Sequence, residues 1–199
     1  MNELIHSHGF WLFRDQETLE QEHLFDPGLA QALISFFKGV TVIDFGCGPG
    51  EYVRALRAAG IPCDGYDGNP HTPEISGGLC QVLDLSQPVH LPCSAEWGLS
   101  LEVGEHIPVA FETTFLENLV RHSRLGIVLS WAVPTADDAN SMGHVNPRQN
   151  DYIEQRMKGF GFVRDSSQEQ ILKKAISNPE CHYFRETLMV YRRVGGEQT

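Results

Sequence analysis

Basic residues are scarce in this chain. Its 199 residues carry 15 Lys and Arg against 26 Asp and Glu, a formal net charge of −11 with neutral histidines. Polyanions select for basic faces, so this balance counts against a nucleic acid or an anionic membrane surface as partner, short of a local basic patch. Cysteine is thin as well. Cys47, Cys63, Cys80, Cys93 and Cys181 make an odd set with no C-x-x-C pair. That speaks against a zinc knuckle or a disulfide framework and for reduced thiols. No apolar run approaches the roughly 18 residues of a membrane span. The opening stretch MNELIHSHGFWLF has no basic region leading into a long apolar one. The expectation is a cytoplasmic protein with no membrane partner. Repeats, low-complexity segments and long Pro/Gly/Ser linkers are also missing. One domain over residues 1–199 is therefore expected, with residues 1–25 as an N-terminal lid or packing segment.

What is present is an ordinary globular composition, 41% apolar and 21% charged. A chain of this size can bury roughly 70% of its extended surface, enough for a core without covalent staples. Strand and helix patterns alternate. Asp26-Pro27 reads as a helix N-cap followed by a proline at the first helical position, and the helix PGLAQALISFFK stops at Gly39. VTVIDF is an apolar run of the kind buried on both sides, and GEYVRALRAAG is a helix closed by Gly60. PCDGYD, LCQVLDL and AEWGLSLE read as further strands, PVAFETTFLENLVRHS as a helix, and LGIVLSWAV as the central strand. A helix is expected to start at Asn146-Pro147-x-Gln149, with Asn146 as its cap. GFVRD and HYFRETLMVYRR are late strands around a helical QEQILKKAI. Alternation of this kind predicts an α/β fold, a mostly parallel sheet with helices on both faces. Only twelve residues separate Asp84 from Trp97, too few for a packed crossover helix, so this link is expected to be an irregular loop.

The most specific signal is VIDFGCGPGEY, residues 42–52. An apolar strand runs into Asp44, then Gly46, Gly48 and Gly50 alternate, and a helix begins. Glycines here allow a tight turn and let a ligand reach the backbone amides. The dinucleotide fingerprint is G-x-G-x-x-G with a helix N-terminus open to pyrophosphate, whereas this chain shows D-x-G-x-G-x-G with Glu51 at the helix start, which would repel one. In these residues the chain resembles the class I S-adenosylmethionine-dependent methyltransferases, over roughly Asp26 to Arg193. The resemblance implies a Rossmann-like sheet of seven strands with the last antiparallel, and S-adenosylmethionine as cofactor. It implies that Asp44, Gly46, Gly48 and Gly50 form the cofactor loop. Asp67 and Gly68, after the second strand, would serve the ribose, a task suited to a carboxylate. Asp84 would accept the adenine amino group, and the Leu85 amide would serve the ring. The short link after Asp84 departs from the common form of the family.

A second cluster lies in SLEVGEHIP. If the chain after Leu101 makes a helical turn, Glu102, Glu105 and His106 project to one side. Two carboxylates and an imidazole suit Mn²⁺, Fe²⁺, Co²⁺ or hydrated Mg²⁺ better than structural zinc. His144, in GHVN after the fifth strand, is the candidate fourth ligand. E-x-x-E-H with a distant His resembles two metal-dependent groups, the plant-type small-RNA 3′-end 2′-O-methyltransferases and the ubiquinone-pathway O-methyltransferases. That resemblance implies metal ligation by Glu102, Glu105, His106 and His144. Direct catalytic or acceptor contact by Glu105, His106 and His144, with a histidine as base, stays open, as does a structural role.

These readings converge on a methyltransferase with a small-molecule acceptor, a hydroxyl of a sugar or diol. N-methylation of an amine or peptide, 2′-O-methylation of RNA, a catalytically inactive adaptor and a nucleotide-dependent oxidoreductase are the rivals. Phe10, Trp11 and Phe13 are candidates for a lid, His71 for a ribose neighbour, and Trp131 for either the acceptor wall or the core.

Overall fold

The computed structural model of the chain describes residues 4–14, 18, 23–134 and 143–195. Helix α1 (Pro27–Phe36) starts where Asp26 accepts a hydrogen bond from the Leu29 amide. Strand β1 (Val42–Phe45) is buried throughout and leads through the glycine loop into α2 (Glu51–Ala58). Strand β2 (Cys63–Asp67), the short α3 (Thr72–Ile75) and β3 (Cys80–Val82) follow. Next come β4 (Ala95–Ser100), α4 (Glu112–His122) and β5 (Ser123–Ser130). The chain closes with α5 (Asn150–Gly159), β6 (Phe162–Arg164), α6 (Ser166–Ala175), α7 (Phe184–Thr187) and β7 (Leu188–Arg193). No helix among the described residues is long and apolar enough to cross a membrane.

The seven strands lie in the order β3-β2-β1-β4-β5-β7-β6. β1 pairs in parallel with β2 and β4, and β7 runs antiparallel to both β5 and β6. Successive side chains of the central strands feed opposite faces. Val128 joins Leu29, Leu33, Val53, Leu56 and Leu172 on one side. Ile127 and Leu129 join Phe115, Leu119, Ile153 and Met157 on the other. Burial of each such side chain stabilises the fold by about 1.5–3 kcal/mol, so both helical layers are anchored to the sheet.

Several boundaries differ from expectation, three of them next to residues of interest. The helix expected at Asn146 begins at Asn150, with Gln149 as its cap residue. Asn146 is buried instead, its amide donating to the Glu105 carbonyl and its side chain to Glu112, and tertiary partners of that kind override a local capping preference. The last strand starts at Leu188, because Phe184–Thr187 turns as α7. β3 ends at Val82, two residues short of Asp84.

The link between β3 and β4 is irregular, and α4 supplies what a crossover helix would have given. Asn118 accepts from the Val89 amide at 2.9 Å and donates to the Leu85 and Gln87 carbonyls at 2.9 and 2.7 Å. His122 accepts from the Leu91 amide at 3.0 Å. Backbone groups that a helix would have paired internally are thus paired with side chains.

Candidate active site

The strand order reverses between β1 and β4, and the crevice beyond the strand ends at such a point is where open α/β sheets hold ligands. A cavity of about 610 Å³ opens there, within the range of small-molecule sites. Its floor is the glycine loop. Gly46 and Cys47 donate to the Tyr66 carbonyl at 2.7 and 3.0 Å, and the Gly48 amide donates to Asp67 Oδ2 at 2.9 Å. Gly46 has φ +80, and a Cβ there would lie 2.4 Å from the Val103 side chain, so only glycine fits. Asp44 is buried beneath the loop, and burial, with Cys80 and Asp67 nearby, pushes its carboxyl well above the usual range.

Asp67 also accepts from the Asn69 amide at 2.8 Å through Oδ1. Each of its oxygens therefore holds one backbone amide and keeps a lone pair for a ligand. Asp84 accepts from the Ser86 amide and hydroxyl through Oδ1. Burial alone would raise its carboxyl, but the bonds from Ser86 and His8 outweigh it and hold the group below its ordinary value. Leu85 is buried beside it.

The N-terminal segment crosses the mouth of this cavity as a small hairpin, with Ile5 bridged to Trp11 and Leu12 donating to the Leu4 carbonyl. His8 Nδ1 lies 2.6 Å from Asp84 Oδ2. Phe10 covers Gly68, where any Cβ would lie 2.5 Å from its ring. Asn69 donates to the Phe13 carbonyl at 2.7 Å, pinning the far end of the strap. Gly9 turns the hairpin at φ +96, and a Cβ there would meet the His106 carbonyl oxygen at 2.1 Å.

Beyond the strap lies the Glu/His cluster. Consecutive turns, His106 N to the Val103 carbonyl and Ile107 N to the Gly104 carbonyl, bring Glu105 and His106 together. His144 arrives from the loop after β5, which is stitched to them by Val145 and Asn146 amides on the Glu105 carbonyl. Ligand atoms of Glu105, His106 and His144 all lie within 4.8 Å of one another. Glu102 is not one of this trio, although its carboxyl adjoins that of Glu105. It sits at φ +52, before the turn, and its Oε1 accepts from Thr187 Oγ1 at 2.8 Å.

Glu105 is fully buried, and neither carboxylate oxygen receives a hydrogen bond of good geometry. Its own amide, the Ala132 amide and the Glu102 carboxyl lie near enough for weak, poorly aligned hydrogen bonds that do not saturate it. Burial and the neighbouring Glu102 push its carboxyl well above the usual range. Burial, aided by His144, pulls the His106 imidazole down to about 4, so this ring is neutral and able to ligate.

His71 lies outside the cavity lining, and Trp131 is core, fully buried with its indole N–H donating to the Asn146 carbonyl at 2.8 Å. Three residues gain importance that the sequence pattern did not reveal. His23 lines the cavity and His8 reaches Asp84 at its edge only through the tertiary path of the N-terminal segment. Glu112, at the start of α4, is buried under four donors, Asn146, Arg148, Tyr152 and Arg156. It anchors the segment that follows His144.

The profile of a family described as a methyltransferase domain matches residues 16–125, more than half of the chain. The chain belongs to the class I S-adenosylmethionine-dependent methyltransferases. Solved structures agree with this methyltransferase in fold. Magnesium protoporphyrin IX methyltransferase from Synechocystis, with bound S-adenosylhomocysteine, is similar at 17% identity and TM-score 0.58, over 82% of this chain and 81% of that one. An O-methyltransferase family protein from Burkholderia thailandensis is similar at 13% identity and TM-score 0.59, over 85% and 57%. A TehB-like S-adenosylmethionine-dependent methyltransferase from Corynebacterium glutamicum is similar at 16% identity and TM-score 0.59, over 89% and 92%. No curated protein sequence matches the chain.

Proposed function

We propose that this methyltransferase transfers the methyl group of S-adenosylmethionine to a hydroxyl of a small polar acceptor, a sugar or catechol-like diol, with a divalent metal ion held by Glu105, His106 and His144. The observation that carries the reading is Glu105 itself. A buried carboxyl whose oxygens receive no hydrogen bond of good geometry is costly, and two imidazoles within 4.8 Å complete a donor set that a Mn²⁺, Fe²⁺, Co²⁺ or Mg²⁺ ion would satisfy. When bound, such an ion supplies Lewis acidity that lowers the pKa of a coordinated hydroxyl and orients it.

The residues of the chain do the rest. Gly46, Gly48 and Gly50 let the cofactor lie against the loop. Asp67 offers its free lone pairs to the ribose hydroxyls beside Gly68. Asp84 and the Leu85 amide bind the adenine edge. Glu102, held by Thr187, keeps a second carboxyl next to Glu105. The strap excludes water from the transfer, a step that needs alignment and shielding more than acid–base help. Without a metal, His106 or His144 is the residue placed to take the acceptor proton.

The test is methyl transfer to a panel of sugars and catechols, with and without a chelator and with Mn²⁺ restored. Chelator-sensitive transfer that Mn²⁺ rescues is expected; transfer indifferent to chelator contradicts the metal reading. A second reading, N-methylation of an amine, draws on the cavity wall. Seven of the described residues that line it are Asp or Glu and none is Lys or Arg, which suits a cationic acceptor and disfavours RNA. Chelator-indifferent transfer to amines would favour it.

A further inference from the structure

The acidic cavity leaves one demand of the cofactor unexplained. S-adenosylmethionine carries an α-carboxylate on its amino-acid arm, and the described residues lining the cavity include no Lys or Arg to meet it. Four described histidines line the cavity, His23, His106, His144 and His182. His106 Nδ1 is engaged with the Gly143 carbonyl at 3.1 Å, and its ring packs on His144. His182 Nδ1 is engaged with the Pro179 carbonyl at 3.0 Å. Among the described residues, neither ring nitrogen of His23 meets a hydrogen-bond partner.

The position of His23 is specific. A Cβ on Gly48 would lie 2.7 Å from its Nδ1, so the ring stands directly over the glycine loop. Its ring centroid is 5.0 Å from that of Trp11, which in turn lies 5.1 Å from that of His106. Asp67 on one side and His106 on the other are both close enough to interact with it electrostatically. An arm leaving a ribose held at Asp67 and running along the glycine loop toward the Glu/His cluster passes beneath this imidazole.

We propose that His23 is a cofactor-binding residue whose ring N–H donates to the α-carboxylate of the amino-acid arm. The assignment rests on the cofactor site described under the proposed function. A hydrogen bond to a charged group, lost by truncation, lowers affinity by about tenfold. The experiment is isothermal titration of the wild type, His23→Phe and His23→Gln with two probes, S-adenosylhomocysteine and 5′-methylthioadenosine, which lacks the amino-acid arm. His23→Phe is expected to bind S-adenosylhomocysteine about tenfold more weakly and methylthioadenosine as the wild type does. His23→Gln, which keeps an N–H donor, is expected to recover part of the loss. Unchanged binding of S-adenosylhomocysteine overturns the assignment, and so does an equal loss for both probes, which would make His23 a prop for the strap. A wild type that binds neither probe overturns the cofactor site itself, a result distinct from the other two.

Discussion

His8 Nδ1 and Asp84 Oδ2 meet at 2.6 Å although 76 positions separate them, and their contact fastens the N-terminal strap to the Asp84 side of the cavity. The same Asp84 oxygen is the one left over after Ser86 has taken Oδ1. If Asp84 binds the adenine edge as proposed, cofactor entry and the closed strap compete for one acceptor.

His8→Ala should release that competition. S-adenosylhomocysteine is expected to associate faster in stopped-flow binding, and trypsin is expected to cleave sooner after the exposed Arg14. The core stays intact, so the thermal midpoint should hardly move. Equal association and cleavage rates would show that the contact does not gate the site.

Metal binding should be visible as stability. An ion that binds only the folded state adds about 2.7 kcal/mol at a hundredfold excess over its dissociation constant. Mn²⁺ added to chelator-treated wild type should raise the thermal midpoint, and Glu105→Ala should lose that response. Glu102→Gln should keep much of it, because Glu102 lies outside the trio and bonds to Thr187. A Mn²⁺ response in Glu105→Ala equal to that of the wild type would remove Glu105 from the ligand set.

Glu112 should matter at neutral pH and less in acid. Burial alone would raise its carboxyl, but hydrogen bonds from Tyr152, Asn146 and Arg148, with the Arg148 charge, hold it below the usual value. A depressed folded value means stability that is complete above the ordinary glutamate pKa of about 4.3 and is lost as pH falls through the folded value. Arg148 and Arg156 are partly exposed, so solvent screening limits the loss for Glu112→Gln to about 2 kcal/mol at pH 7. Urea unfolding at pH 7 and below pH 4 should show this gap narrowing with acid. A gap that widens in acid would contradict the network's charge.

Much of this molecule is written locally. β1, the glycine loop and α2 are legible because an apolar run, three spaced glycines and an amphipathic helix follow one another within 17 residues, Val42–Ala58. Asp67 is legible because it closes a strand. The Glu105–His106 turn reads off its spacing, and His144 off its place after β5. Longer-range features are not legible. Asn146 looks like a cap because Pro147 follows it, yet its partners are Glu105 and Glu112. Glu102 shares the motif with Glu105, but its left-handed backbone turns it to Thr187, 85 positions away. His8 and His23 carry no local signature, since only the path of the strap brings them to Asp84 and Gly48.

The central claim is that the glycine loop and Asp67 form a working S-adenosylmethionine site, and titration calorimetry with S-adenosylhomocysteine tests it most directly. The account predicts one saturable site in the wild type and at least tenfold weaker binding in Asp67→Ala, because that carboxylate both receives the ribose and holds the Gly48 amide. A wild type that gives no binding heat, or an Asp67→Ala variant that binds as tightly as the wild type, would contradict it.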